Sequence, residues 1–264
     1  MNGTTAMTPA RGTRSMLGTR EVRGTLALSR LEMLRVLRNK QYLIFTLAFP
    51  VVFYLAIGKQ ARGVSVYGVP FAAFYMVAMA TWSALSGALN GNAQRISQER
   101  KDGWIRQLRL TSLPASGYVA AKVIASMVTT VPSIVIVLAL GHFYGGVHMA
   151  GWKWAVVGAA AWLGAMTFAA LAVAIGYKFL PDRAQPLALL VYFGMSILGG
   201  LWFPLSGVLG TIGKALPTYQ VTRIGAGVLA AGSVSVTAVA VILAWLAGFV
   251  VLAALAVRST AEKV

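Results

Sequence analysis

Long apolar stretches alternate along the chain with short segments that carry the charges. Six uncharged runs of 18 to 34 residues lie at 41–58, 63–94, 123–152, 154–177, 184–213 and 224–257. A helix rises about 1.5 Å per residue, so about 20 apolar residues cross a hydrocarbon core of about 30 Å. None of the runs is long enough to cross twice with a turn. The pattern therefore predicts an all-α membrane protein with six transmembrane helices.

Composition supports a membrane protein over a soluble one. Hydrophobic residues make up 58% of the 264 residues and charged residues only 11%, whereas about 25% of a soluble domain is charged. The runs are rich in Ala, Leu and Gly and lack the alternation of a lipid-facing barrel strand. The chain has no cysteine, which excludes disulfides and thiolate metal sites.

The cations are distributed unequally between the two sides that six spans define. Eighteen of the 23 Lys and Arg residues fall on one side and five on the other. The positive-inside rule makes the cation-rich side the cytoplasm, with the N- and C-termini both there. The net charge of +17 then reports topology and contact with anionic membrane lipids, and not nucleic-acid binding.

The segment before the first span divides into two parts. Residues 1–19 are rich in Thr, Gly and Arg and are expected to be disordered. After them, apolar residues share one helical face, namely Val22, Leu26, Met33, Val36 and Leu37. This spacing predicts a basic amphipathic helix in the cytoplasmic interface, with an ordinary cytosolic extension as the alternative. The long basic stretch and the missing cleavage site exclude a cleavable signal peptide.

Two further segments break the simple alternation of spans and loops. Residues 91–117 form the longest cytoplasmic loop, where the helical spacing of Ile105 and Leu108 predicts a short amphipathic helix outside the bilayer, which suggests a docking surface. Residues 205–232 are moderately apolar but contain Lys214, Pro217 and Arg223. They fit a re-entrant or interfacial segment on the external side better than a seventh span.

Polar residues in the second span are candidates for a substrate path. They are Thr81, Ser83, Ser86 and Asn90. The alternative is that they serve helix packing and hydrogen bonding between helices.

The chemistry that the sequence lacks narrows the function. All six acidic residues lie in predicted cytoplasmic segments, and they are Glu21, Glu32, Glu99, Asp102, Asp182 and Glu262. Intrinsic ion coupling is disfavoured because carriers commonly place an ionisable group at membrane depth. His142 and His148 have no carboxylate on their side, so neither a metal site nor a catalytic triad is predicted. Residues 207–215 fail the spacing of a phosphate loop. No catalytic, cofactor-binding or metal-binding residue is predicted, and active transport would need energy from another chain.

One set of residues carries a family resemblance. The cytoplasmic loop contains Glu99, Arg100, Gly103, Leu108, Thr111, Pro114 and Lys122. The end of the fifth span contains Gly199, Gly200, Phe203 and Pro204. Over residues 20–258 the chain resembles the ABC-2 type permease family, the membrane subunits of many bacterial ABC exporters. Its drug-resistance branch, similar to daunorubicin-type exporters, looks closest. One departure is Trp104, where the family more often has a small or hydroxylated residue.

The resemblance implies partners for this chain. It implies a permease dimer, identical or mixed, in the bacterial inner (cytoplasmic) membrane, with two cytosolic nucleotide-binding ATPase subunits that bind ATP and Mg²⁺. Residues that would couple the chain to the ATPase are Glu99, Arg100, Gly103, Ile105, Arg106, Leu108, Arg109 and Thr111. In this hypothesis, Ile105 and Leu108 fill a groove of the ATPase. Polar contacts come from Glu99, Arg106 and Arg109. The alternative is a solvated charged loop with one helical turn.

These expectations combine into one functional interpretation with two alternatives. A single transmembrane domain spans residues 20–258, between a disordered tail at 1–19 and a cytoplasmic tail at 259–264. The chain is expected to be the permease subunit of an ATP-binding-cassette exporter for an amphipathic or hydrophobic substrate, such as a drug, antibiotic or lipid. The alternatives are a partner-independent carrier or channel and a membrane accessory protein that transports nothing.

Overall fold

The structure, a computed structural model, describes residues 11–58, 63–108, 110 and 115–261. The described residues form ten helices and one short hairpin. The helices are α1 (Arg11–Arg38), α2 (Lys40–Ile57), α3 (Phe71–Lys101), α4 (Trp104–Leu108), α5 (Ala115–Phe143), α6 (Gly151–Lys178), α7 (Pro181–Leu198), α8 (Gly207–Lys214), α9 (Pro217–Ala231) and α10 (Val236–Ala261). Strands β1 (Ser65–Val66) and β2 (Val69–Pro70) pair antiparallel. The prediction of an all-α membrane protein is thereby supported.

Four helices, α3, α5, α6 and α10, are long and apolar enough to cross a membrane. Helices α2 and α7 have 18 residues each, which corresponds to about 27 Å and approaches the thickness of a hydrocarbon core. The count of six spans and the side on which the termini lie stay predictions.

Helix α3 is the centre of the bundle and packs against α2, α5, α6, α7 and α9. Small residues on its neighbours allow the backbones to approach closely. A Cβ atom at Gly176 of α6 would lie 2.7 Å from Cβ of Ile96, and one at Gly225 of α9 would lie 2.5 Å from Cγ1 of Val77. Such small residues are the usual means by which membrane helices pack tightly.

The N-terminal helix α1 begins earlier than the sequence predicts and turns an unexpected face to the protein. It starts at Arg11, inside the segment 1–19 that we expect to be disordered, while residues 1–10 lie outside the described residues. From residue 21 onwards, where the structure describes its side chains, the buried residues are Ser29, Glu32 and Val36, and α1 packs mainly against α5. The predicted apolar stripe is divided, since Val22, Leu26 and Leu37 are exposed, whereas Met33 is partly buried and Val36 is buried. Only the exposed part of the stripe is free to meet the membrane interface.

The predicted loop 91–117 is largely helical, so the helix of the second predicted span extends beyond the start of that loop. Helix α3 continues to Lys101, because Ala93 and Ile96 are buried and keep the helix packed against the bundle. Gly103 then adopts a φ of +76°, a left-handed conformation that favours glycine. The short helix predicted around Ile105 follows as α4, which is five residues long.

Residues 205–232 form two helices, α8 and α9, of 8 and 15 residues. Both are shorter than the roughly 20 residues needed to cross a bilayer. Val221, Ile224 and Val228 of α9 are buried, and α9 packs against α3, α6 and α10. The segment is therefore a packed part of the bundle. That it is re-entrant or interfacial on the external side stays a prediction.

Candidate functional site

Charged side chains from three helices meet inside the protein and form what we call the ion-pair cluster. Helix α1 contributes two members, α3 two and α5 two. The members are Glu32, Arg35, Arg95, Glu99, Tyr118 and Lys122.

Lys122 is the centre of the ion-pair cluster and is only 1% exposed. Its Nζ lies 2.8 Å from Oε1 of Glu32 and 2.7 Å from Oε1 of Glu99. The Tyr118 hydroxyl donates a hydrogen bond of 2.6 Å to Oε2 of Glu99. One buried cation thus bridges carboxylates from two different helices.

Two arginines complete the cluster at its edge. Nη1 of Arg95 lies 3.4 Å from Oε2 of Glu32, and Nη1 of Arg35 lies 3.2 Å from Oε1 of Glu99. The Arg35 side chain is 65% exposed, so water screens its interaction strongly. The Lys122 bridge is buried and screened far less. It is therefore the contact that ties α1, α3 and α5 together.

The structure places the coupling residue Glu99 inside the protein. Its carboxylate is buried and its partners are Arg35, Tyr118 and Lys122. Its oxygen atoms bind groups of its own chain, and the hypothesis that Glu99 also contacts the ATPase stays a prediction. Lys122 is buried as well, although a lysine near the end of a membrane helix often extends to the lipid headgroups.

Of the remaining coupling residues, Arg100 and Gly103 have structural roles, and Arg106 is exposed. Nη2 of Arg100 donates a 2.9 Å hydrogen bond to the carbonyl oxygen of Phe179, in the turn between α6 and α7. Gly103 forms the turn before α4. Arg106 is available to a partner.

Ile105 is partly buried against the cluster that contains Ile96 and Tyr118. Leu108 ends α4, whereas its side chain, Arg109 and Thr111 lie outside the described residues.

Sequence reasoning did not find the ion-pair cluster as a unit. It assigned Glu32 only to a cytoplasmic segment and gave Arg95 and Tyr118 no role. A signal was present, because Arg95 with Glu99, and Tyr118 with Lys122, are spaced four residues apart and so share a helix face. The third partner, Glu32, lies more than sixty positions earlier in the chain than Arg95. No local pattern connects these residues.

A cavity of about 410 Å³ lies between α2, α3 and α7, and we call it the aromatic cavity. No charged side chain is among its lining residues in the described part of the chain. The lining residues are Thr46, Phe49, Phe53, Trp82, Ser86, Asn90, Gly91, Gln94, Gln185, Leu189, Tyr192, Phe193 and Trp202.

Aromatic rings occupy one end of the aromatic cavity. The rings of Trp82 and Tyr192 are stacked, with centroids 5.7 Å apart. Trp202 meets Trp82 edge-on at 4.8 Å and Phe53 at 4.9 Å. The other end has polar side chains without charge, namely Ser86, Asn90, Gln94 and Gln185. An apolar wall with a few polar groups is the usual composition of a small-molecule site.

The candidate substrate-path residues divide into two pairs. Ser86 and Asn90 line the aromatic cavity. Thr81 and Ser83 do not, and their hydroxyls donate to carbonyl oxygens of their own helix, at 2.8 and 2.9 Å. The aromatic residues were missed, although Phe49 with Phe53, and Trp82 with Ser86, have the four-residue spacing of one helix face.

Long apolar helices around an uncharged cavity fit an integral membrane protein, and comparison with known proteins gives its class, a membrane transporter. Residues 65–258 match the model of the ABC-2 family transporter proteins, and the chain belongs to this family. It is also similar to YvfS of Bacillus subtilis (strain 168), a protein whose name describes a transport permease. The two are 29% identical over 192 residues, which cover 72% of this chain and 78% of YvfS. The resemblance to ABC-2 type permeases is thus confirmed.

Proposed function

We propose that this chain is the permease subunit of an ATP-binding-cassette exporter whose ATPase is a separate cytosolic subunit. That subunit would bind ATP and Mg²⁺, because the permease sequence has no phosphate loop. The observation that carries the proposal is the Lys122 bridge between Glu32 and Glu99. This bridge fastens the predicted interfacial helix α1 to the bundle. One of its carboxylates, Glu99, lies only a few residues before the exposed helix α4.

The bridge supports a route for movement from the ATPase to the substrate. Closure of the ATPase on ATP would push α4 and α1, and the ion-pair cluster would pass the push to α3. This helix is continuous from Glu99 to Trp82, a distance of about 25 Å. One rigid helix therefore joins the cluster to the aromatic cavity. Such rigid-body shifts need a ligand that binds two states with unequal affinity, which ATP at the partner supplies.

The lining of the aromatic cavity supports an amphipathic or hydrophobic substrate, such as a drug, antibiotic or lipid. Aromatic rings such as Trp82 and Tyr192 offer stacking surfaces. The amides of Asn90 and Gln94 offer hydrogen bonds, and no buried charge requires a counter-ion. We place the polar end of the aromatic cavity, which has Asn90 and Gln94, towards the cytoplasm. Both residues lie on α3 between Trp82 and the basic last turn of that helix.

The aromatic cavity also supports a second permease subunit. Its wall includes Phe49 and Phe193, which are 50% and 41% exposed, so one chain leaves the cavity open on that side. A second permease would close it and create a shared path. We place this dimer in a bacterial cytoplasmic membrane with the chain termini in the cytoplasm, as the uneven distribution of cations predicts.

The test is to purify the chain with a candidate ATPase subunit, sought first in the reading frames beside its own, and to reconstitute both in vesicles. ATP hydrolysis and the export of a fluorescent amphipathic dye are then measured together. We expect Glu99→Gln to lower export about tenfold while hydrolysis continues, because the movement no longer reaches α3. Glu21→Gln, which changes an exposed carboxylate on α1, is the matched control and should keep export normal.

Three results would contradict the proposal. Dye flux by the permease alone, without ATPase or ATP, would indicate a carrier or channel. The absence of flux with every ATPase and dye tested would favour an accessory protein. Normal coupling in Glu99→Gln would remove the ion-pair cluster from the mechanism.

A further inference from the structure

A second groove, of about 540 Å³, lies on the outside of the bundle. Helix α6 forms its floor, and α7 and α10 form its walls, so we call it the outer groove. Its lining is apolar apart from Lys178 and Ser259. The transport route proposed above does not use this groove.

The outer groove has the shape of a slot with one polar end. Along α6 it extends from Leu171 to Lys178, and along α10 from Leu252 to Ser259. Each distance is seven residues, or about 10 Å of helix. Both polar residues occur at the same end, where α6 and α10 finish. An apolar slot below a polar mouth matches a lipid chain below its headgroup.

The mouth of the outer groove is positively charged. Lys178 is exposed, and none of the ion pairs formed by the described residues includes it. Arg258 precedes Ser259 on α10, and it is exposed. Arg183 and its neighbour Asp182 lie in the first turn of α7, and both are also exposed. Three cations and one carboxylate leave a net charge of about +2 near the mouth. Basic pockets between membrane helices on this side are typical of anionic headgroup sites.

We propose that the outer groove binds one anionic glycerophospholipid from the leaflet on the basic side of the membrane. The phosphate lies at Lys178, with the Ser259 hydroxyl as a second polar contact. One acyl chain follows the slot past Ile175 towards Leu171. A second copy of this chain fits the mouth less well, because an identical face would bring the same cations together. The proposal does not depend on transport.

Native mass spectrometry of the full-length chain in detergent tests this inference directly. The protein is titrated with phosphatidylglycerol and, separately, with phosphatidylcholine of the same acyl chains. We expect phosphatidylglycerol to be retained as a one-lipid adduct and phosphatidylcholine to be lost. Lys178→Gln should lower phosphatidylglycerol retention about fivefold. Lys101→Gln removes another exposed lysine on the same side and should leave retention unchanged.

A second variant tests the slot independently of the charge. Ala174→Phe fills the floor of the groove and should lower retention of phosphatidylglycerol while Lys178 remains. Equal retention of both lipids, or unchanged retention in Lys178→Gln, would overturn the proposal. A dimer crosslinked through Leu255→Cys in lipid vesicles would assign the groove to a second copy and overturn it as well. Soluble glycerol phosphate is expected not to displace the lipid, and displacement would also count against a lipid site.

Discussion

The two ends of the helix bundle hold their cations in different ways. At one end Lys122 lies between two carboxylates, 2.8 and 2.7 Å away. At the other end Lys153 donates a 3.1 Å hydrogen bond to the carbonyl oxygen of Leu229, near the end of α9. There, the Arg223 guanidinium lies 4.6 Å above the ring of Tyr67. All six acidic residues fall in the segments assigned to the first end, so the second end relies on carbonyl groups and rings.

This contrast indicates which end is built to move. A buried ion pair gains little net free energy, because the cost of removing both charges from water offsets their attraction. The cluster offers two carboxylates to three cations, so more than one pairing could satisfy both carboxylates. Contacts such as Lys153 with Leu229 depend on backbone positions that packing already fixes. The ion-pair cluster is suited to change its pairing, and the opposite end is suited to stay in place.

The largest loss of stability is expected when Lys122, the central cation of the ion-pair cluster, is replaced. In Lys122→Met, Glu32 and Glu99 stay buried close together without the cation between them. We expect a loss of about 3–5 kcal/mol in the free energy of unfolding, the usual cost of an uncompensated buried charge. Thermal unfolding of the purified protein in detergent measures it.

Neutralising both carboxylates as well supplies the control for this experiment. The triple variant with Lys122→Met, Glu32→Gln and Glu99→Gln should recover much of the lost stability, since no unpaired carboxylate remains in the interior. Arg35 and Arg95 lose their partners in this variant, but they lie at the edge of the cluster. Lys101→Met, at an exposed position, should change little. A small loss in Lys122→Met would mean that water reaches the cluster, and the contrast between the two ends would then disappear.

At the opposite end the expected effects are smaller. In Lys153→Met the charged hydrogen bond to the carbonyl group of Leu229 is lost, while an apolar side chain still packs beside Trp152. We expect a loss of about 1–2 kcal/mol in the free energy of unfolding. Lys214→Met, which changes an exposed lysine, is the matched control. A loss as large as that of Lys122→Met would show that both ends depend equally on their cations.

The sequence predicts the helices of this chain better than it predicts where they end. Runs of apolar residues predict most of the helices, since their number and length follow from local composition. The polar residues after Asn90 predict that a cytoplasmic loop begins at residue 91. In the structure Ala93 and Ile96 pack against the bundle and extend the helix to Lys101. A span boundary drawn from charge alone misses this burial.

The sites are harder to predict than the helices because each combines distant segments. Glu99 was selected by its motif but assigned an exposed role, since its partner Lys122 and the third member Glu32 come from other helices. In the aromatic cavity Ser86 and Asn90 were selected because polar residues stand out in an apolar span. Trp82 was not, because an aromatic residue in such a span gives no local signal of its function.

At the same end as Lys153, Arg223 also contacts the hairpin that β1 and β2 form. Tyr67 has a φ of +53° at the hairpin turn, a conformation that is costly for a residue other than glycine. Packing against Arg223 and Phe74 helps to hold it there. We expect Arg223→Gln to lower the free energy of unfolding by about 0.5–1 kcal/mol, the value of an exposed cation–ring contact. Equal stability to the unaltered protein, measured by thermal unfolding, would show that the ring alone holds the turn.

The smallest expected effect is a pH dependence at the same residue. Burial, followed by the hydrogen bond that the Tyr67 hydroxyl shares with Tyr219, raises the pKa of Tyr67 to about 12. The folded protein therefore favours the neutral phenol more than the unfolded chain does. The resulting stability is fully present below the ordinary tyrosine pKa of about 10 and is lost as the pH rises from there towards 12.

Tyr67→Phe isolates this contribution, since the variant keeps the ring but cannot ionise. The unfolding temperature of the unaltered protein minus that of the variant should be constant up to about pH 9 and fall above pH 10. Tyrosines and lysines that do not interact with Tyr67 titrate in both proteins and cancel in the difference. Arg223 opposes the rise in the pKa of Tyr67, so in Arg223→Gln the fall should still begin near pH 10 but continue to higher pH. A difference that stays constant to pH 12 would mean that water reaches the phenol, and this end would then be less tightly packed than the contrast requires.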